Sequence, residues 1–168
     1  IYIVHCTTTD TVAEIARAKA EGLTVYSEIG THYLVLHKDA WKINVPLRDR
    51  STHEGLWKAL SSGAIDCIGS DHVAHTRTRE SMETGNIWTT ISGFPSRVEG
   101  MLPMMLSEGV NKGRISIERL AQVASENPAR IFGLYPKKGA ILPGAQADLI
   151  VVDLKRRATI TKKILLNL

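Results

Sequence analysis

The stretch Ile65-Asp66-Cys67-Ile68-Gly69-Ser70-Asp71-His72-Val73-Ala74-His75-Thr76 decides how the rest of the chain is read. Ile65 to Ile68 has the length and character of a short buried strand, and it runs out at Gly69 and Ser70. Asp71, His72 and His75 follow at once, all able to bind a metal or carry a proton. In parallel α/β sheets the residues just beyond the carboxyl ends of strands line the ligand site, which makes Asp71 the leading candidate residue.

Working outward, strands alternate with helices. Residues 1 to 6, IYIVHC, are apolar on both faces, as in a strand buried within a parallel sheet. Thr11-x-x-Glu14 reads as a capping box heading a helix with Val12, Ile15, Ala16 and Ala20 on one stripe, ended by Gly22. Leu23 to Tyr26 begins the next strand. Ser51-x-x-Glu54 is a second capping box, with Leu56, Trp57 and Leu60 on the buried face and Gly63 as the stop. The short joints predict a parallel sheet with right-handed crossovers. Residues 77 to 95 are polar and punctuated and read as a long loop. Met101 to Glu108 and Ile115 to Ser125 are apolar-periodic helices, and Asn127-Pro128 reads as an N-cap with proline at the first helical position. After Gly139, Pro143 and Gly144, Ala147 to Val152 reads as a strand and Thr159 to Leu165 as another, the entry to a small β module.

Composition bounds the function. The 168 residues are 43% hydrophobic and 23% charged, the balance of an ordinary globular protein. The net charge of +4 is scattered apart from Lys155-Arg156-Arg157 and Lys162-Lys163, and no basic face interleaves with aromatics, so no nucleic-acid partner is expected. Two cysteines, Cys6 and Cys67, sit in apolar runs and read as reduced thiols of a cytoplasmic protein. No apolar run is long enough to span a bilayer and no signal-peptide pattern is present, so no membrane partner is expected. The chain opens inside a core strand and stops at Leu165-Leu166-Asn167-Leu168, as expected for a piece of a longer polypeptide.

His5 closes the first strand as Asp71 closes the third. At one mouth of a barrel the two would suit a divalent cation of the zinc class. Two other accounts compete: a hydrogen-bonded core histidine, and an aspartate that caps a helix. Two donors also fall short of the three or more protein groups a metal site normally uses. His53 reads as an exposed residue in a helical first turn, and His32, beside Tyr33, as a residue near the mouth. Trp41, Trp57 and Trp88 read as packing residues, and strand alternation turns Cys6 away from the mouth.

Taken together, IYIVHCTT, EIGTHYLVL, NVPLR, GSDHVAHT, SENPARIFGLYPKKGAI and PGAQADLIVVD resemble the cyclic amidohydrolases: dihydroorotases, hydantoinases, dihydropyrimidinases and allantoinases. The likeness runs through nearly the whole chain in the family's order. It implies the C-terminal portion of a metal-dependent (β/α)8 TIM barrel, residues 1–135 carrying strands six to eight and their helices. Residues 136–168 would then supply strands of a small β-sandwich. It implies that His5 is the sixth-strand metal ligand and that Asp71 is both the eighth-strand ligand and the catalytic carboxylate. The His-x-His pair, the lysine and the fifth-strand histidine that complete the family's centre would lie upstream of Ile1. The expected cofactor is a divalent metal, zinc, binuclear in the full-length enzyme.

Substrate contacts implied by the same likeness are Asn44, His75 and Gly93. Asn44-Val45-Pro46-Leu47-Arg48 and Asp71-His72-Val73-Ala74-His75 are similar to the dihydroorotase segments that contact substrate, though Val45 and Val73-Ala74 depart from their pattern. Gly93 falls where the family presents backbone groups to the substrate ring, and glycine permits that approach; an ordinary turn is the competing account. The leading expectation is a dihydroorotase-like hydrolase (dihydroorotate to carbamoyl aspartate, in pyrimidine biosynthesis), inactive as this chain alone and a homo-oligomer at full length. GLYPKKG fits hydantoinases and dihydropyrimidinases equally well, which keeps these and allantoinases as the alternative. A non-catalytic relative serving as a scaffold is the second alternative.

Overall fold

The computed structural model describes residues 1–40, 42–73, 86, 88, 97–159 and 161. Strands β1 (Tyr2–Ile3), β2 (Tyr26–Gly30) and β3 (Cys67–Gly69) form one parallel sheet in the order β1-β2-β3. The register places Ile3 beside Ser27 and Gly30 beside Gly69, so the carboxyl ends of all three strands share one edge. Helices α1 (Thr9–Ala20) and α2 (Ser51–Ser62) make the two crossovers. An α/β unit with a parallel sheet is thus what the alternating pattern predicted.

The strands are shorter than the apolar runs. β1 ends at Ile3, and His5 then adopts a left-handed backbone with φ of 57°. β2 begins only at Tyr26, since its partners are Tyr2 and Ile3 on one side and Cys67 to Gly69 on the other.

The helix caps also differ from expectation. α1 is capped by Thr8, whose Oγ1 accepts the Thr11 amide at 3.2 Å, because the cap hydroxyl must reach the third amide ahead of it. The Ser51 box does not form. Ser51 is already helical, and Glu54 pairs with Lys58 one turn on at 2.7 Å. Gly63 ends α2 in the left-handed region at φ 94°, a conformation glycine adopts at little cost.

Val12 and Ile15 of α1, and Leu56, Trp57 and Leu60 of α2, share one buried core with Ile29 and Ile68 of the sheet and with Ile65 just before β3. At about 1.5–3 kcal/mol for each large apolar side chain, this layer is the main source of stability. Trp57 also donates its indole N–H to the Leu34 carbonyl at 3.0 Å. Trp57 is therefore the packing residue expected, whereas Trp88 is 90% exposed and Trp41 lies outside the described residues.

Later in the chain, α3 (Arg97–Met104) contains Pro103 and loosens into a π-helical turn at Met105–Val110. A proline in a helix removes one backbone donor and crowds the preceding turn. α4 (Ile117–Ala121), capped by the Ser116 hydroxyl, runs through a second π-helical turn into α5 (Asn127–Ile131). The helix is continuous there, Glu126 being helical at φ −64°, so Asn127 caps nothing. Its side-chain amide reaches the Asp66 carbonyl at 2.7 Å instead.

Asp66 fastens the amino-terminal end of β3. Its carboxylate accepts Lys19 Nζ at 2.7 Å, the Ser27 amide at 2.7 Å and the Ser27 hydroxyl at 2.8 Å. Arg119 reinforces this end by donating to the Leu60 and Ile65 carbonyls.

Ala147 to Val152 does not form the expected strand. Leu149, Ile150 and Val151 are 60%, 70% and 101% exposed, and among the described residues no segment pairs with them. A strand exists only as one side of a ladder, and apolar alternation cannot supply the other side. Of Thr159 to Leu165, residues 160 and 162–165 lie outside the described residues. Among the described residues no helix is long and apolar enough to cross a membrane.

Candidate functional site

The site forms where β1 and β3 end. His5 lies just past β1 and Asp71 just past β3, with β2 between them, and His5 Nε2 stands 3.4 Å from Asp71 Oδ1. Both side chains are about a quarter exposed, at 27% and 25%, open enough for a small ligand to reach. Both residues are left-handed, Asp71 at φ 46° and His5 at φ 57°, and they are the non-glycine residues with positive φ among those described. That conformation costs roughly 1–2 kcal/mol for a side chain bearing a Cβ. Such strain persists only where the surroundings hold it, and it gathers at functional positions.

β2 supplies the clamp. The Cys6 amide donates to the Glu28 main-chain carbonyl at 2.9 Å. Glu28 is only 7% exposed, and its Oε1 is buried without a hydrogen-bond partner. Burial pushes its carboxyl pKa up; neighbouring His5 opposes the shift and Asp71 adds to it. Gly69 makes room for this carboxylate, since a Cβ there would stand 2.7 Å from Glu28 Oε1. Sequence reasoning missed Glu28. The available signal was a carboxylate inside a strand that should be apolar on both faces.

The remaining candidates fall differently. Asn44 is exposed, in a segment held by buried Ile43 and Leu47 and by Tyr33, whose hydroxyl donates to the Val45 carbonyl at 2.9 Å. Arg48 ties this segment to the loop after His5 by donating to Thr7 Oγ1 at 3.0 Å. His75 and Gly93 lie outside the described residues. His32 is 1% exposed and its ring lies tilted against that of Tyr33, centroids 4.0 Å apart, so it is a core residue of this unit. His53 is half-buried, not exposed as expected, because its Nε2 engages the Leu36 carbonyl at 2.9 Å. His72 has its Nδ1 buried with no hydrogen-bond partner, and its amide donates to Ser70 Oγ.

The donor set of His5 and Asp71 fits a divalent metal. Two donors each about 2.0–2.2 Å from one tetrahedral ion stand roughly 3.3–3.5 Å apart, and an imidazole with a carboxylate is a borderline set suited to zinc. The observed 3.4 Å falls within that edge length and is longer than an ordinary N–H···O bond. Among the described residues no group of three or more His, Cys, Asp or Glu side chains converges, so these two are a partial set.

A histidine and an aspartate thus meet at the carboxyl-terminal edge of a parallel sheet, the edge at which α/β folds place their ligand sites. Residues 3–166 match the family model described as the Amidohydrolase family, and the chain belongs to that family. It is 38% identical to an L-hydantoinase of Paenarthrobacter aurescens, an alignment covering 92% of this chain and 35% of that protein. It is 34% identical to a D-hydantoinase of Ralstonia pickettii, covering 91% and 35%. Among solved structures, the D-hydantoinase (dihydropyrimidinase) from Thermus sp. superposes with a TM-score of 0.90 at 32% identity, covering 98% of this chain and 38% of that one. The chain therefore spans about a third of the length of the curated relatives it matches.

Proposed function

We propose that the chain is the C-terminal part of a metal-dependent hydrolase that opens the C–N bond of a cyclic amide, of the hydantoinase or dihydropyrimidinase type. Residues 1–135 would be the second half of a (β/α)8 barrel and residues 136–168 strands of a β-sandwich, the first half lying upstream. The observation that carries this reading is the 3.4 Å approach of His5 Nε2 to Asp71 Oδ1 at one edge of a parallel sheet. The hydantoinase names of the relatives favour that substrate class over the dihydroorotase expectation, which rested on Asn44 and on His75.

His5 Nε2 and Asp71 Oδ1 would hold the metal, zinc in this reading, with the other ligands supplied upstream. When bound, the metal supplies a water of lowered pKa and polarises the amide carbonyl. Asp71 acts as general base, taking a proton from the attacking water and delivering it to the ring nitrogen as the C–N bond breaks. His5 Nε2 would donate its lone pair to the metal. Asn44, His75 and Gly93 are proposed to orient the ring. The full-length protein is taken as a cytoplasmic homo-oligomer whose partner is a small cyclic amide.

The test is a substrate panel of hydantoin, dihydrouracil, dihydroorotate and allantoin, run on the full-length protein before and after chelation. Turnover of hydantoin or dihydrouracil, abolished by chelator and by Asp71→Asn, is the expected outcome. Turnover of dihydroorotate alone would restore the dihydroorotase reading. A metal-loaded protein inert on all four would point to a scaffold.

A further inference from the structure

We propose that Tyr33 and Arg48 are positioning residues that seat segment 43–48, and with it Asn44, beside the His5 turn. The segment contains neither helix nor strand, so no ladder holds its backbone. Ile43 and Leu47 are buried in the core, while Asn44 and Pro46 between them stay exposed. Apolar burial is non-directional and by itself would let such a segment slide. Direction comes from two polar bonds. The Tyr33 hydroxyl donates to the Val45 carbonyl at 2.9 Å, at the residue that follows Asn44. Arg48 Nε donates at 3.0 Å to Oγ1 of Thr7, two residues beyond His5.

Both bonds are referred to one strand. Tyr33 is buried and lies in the 3-10 turn Thr31–Leu34 that follows β2 directly. Thr7 is buried too, and it follows Cys6, whose amide is held by the Glu28 carbonyl of β2. β2 runs between the strands that lead to His5 and to Asp71. The fixed points of the segment therefore take their places from the strand that also spaces the proposed metal pair. Arginine keeps its Nε proton at any working pH, so the bond to Thr7 does not loosen as pH changes. A third bond closes the far end of the segment. The Lys38 amide donates to the Arg48 carbonyl at 2.9 Å, so that amide reports whether the segment is seated.

That Asn44 meets the substrate ring rests on the proposed function; the seating of the segment does not, and the test separates the two. Tyr33→Phe, Thr7→Val and Thr7→Ser are made in the full-length protein. Hydrogen exchange at the Lys38 amide is compared with exchange in α2. For Tyr33→Phe, kcat and KM are measured on hydantoin and dihydrouracil, with and without Asn44→Ala. One neutral hydrogen bond is worth about 2–10-fold in a local opening equilibrium. Tyr33→Phe and Thr7→Val should each speed Lys38 exchange by about that factor with α2 unchanged. Thr7→Ser keeps the hydroxyl and should exchange as wild type does. KM should rise by about 2–10-fold in Tyr33→Phe with kcat kept, and the rise should vanish in the Asn44→Ala background. Unchanged Lys38 exchange, exchange that rises only in step with α2, or Ser and Val variants alike would overturn the seating. A KM rise that persists without Asn44 would overturn the link to Asn44. Should Thr7→Val fail to fold, Arg48→Met removes the donor and carries the same comparison. A full-length protein inert on both rings, or an Asn44→Ala variant with unaltered KM, would sink the substrate contact, and Lys38 exchange still decides the seating.

Discussion

Asp66→Ala should be the most damaging single polar substitution in this unit, although Asp66 is remote from the chemistry. The Asp66 carboxylate accepts the Ser27 amide at 2.7 Å, and Ser27 is fully buried. Truncation leaves that amide unsatisfied, at a cost of about 1–3 kcal/mol. The Ser27 hydroxyl still has the Ala64 carbonyl at 3.2 Å, so it adds little to the loss. The pair with Lys19 is 31% and 20% exposed, and solvent screening limits it to about 1 kcal/mol or less. The sum is about 1–4 kcal/mol, a large share of a stability that is typically about 5–15 kcal/mol. Asp66→Asn keeps an oxygen for the Ser27 amide and loses the charge, so about half that loss is expected. Urea unfolding at pH 7, followed by far-UV circular dichroism with a fixed m-value, measures both variants. An alanine variant within about 0.5 kcal/mol of wild type would refute the reasoning, as would alanine and asparagine variants of equal stability.

Three further outcomes follow from the same structure. Asp71→Gly removes about 1–2 kcal/mol of left-handed strain and adds about 0.5–1 kcal/mol of chain entropy. Its urea midpoint should therefore hold or rise while zinc uptake by the full-length protein is lost, and a clear fall in midpoint would show that Asp71 is structural. Burial pushes the Cys67 thiol pKa up from 9.0 to about 11, and the Cys6 thiol likewise to about 11. A raised folded pKa means this stability is complete below pH 9 and drains away as pH climbs to about 11, by roughly 2–3 kcal/mol per thiol. The urea midpoint measured across that window should fall less steeply in Cys67→Ala, and identical slopes would contradict the assignment. Both thiols are buried, so at pH 8 they should resist a water-soluble disulfide reagent until the chain unfolds.

The parallel sheet and the meeting of His5 with Asp71 were readable because they depend on local signals. Apolar runs, the glycine stop at Gly63 and the ordered alternation of elements leave few topologies, and parallel strands send their carboxyl ends the same way. What failed depended on competition or on distant partners. Thr7, Thr8, Thr9 and Thr11 offer several hydroxyls near one helix start, and only backbone geometry selects Thr8. Asn127 has the residue type and proline neighbour of a cap, yet the Asp66 carbonyl lies within its reach and takes the amide. Ala147 to Val152 has strand composition, but no pattern within a segment reveals whether a neighbour exists to pair with it. Glu28 was hidden because its burial against Gly69 becomes visible only when β3 is set beside β2.

That arrangement sets a gauge. The two donors sit two residues past strands separated by a third, so the gap that their side chains bridge starts from two inter-strand steps, about 9.6 Å of backbone lattice. Backbone hydrogen bonds define those steps, and exchanging loops beyond the His5 and Asp71 turns leaves them untouched. The rim can therefore be rebuilt for a wider or narrower ring while the distance between imidazole and carboxylate stays constant.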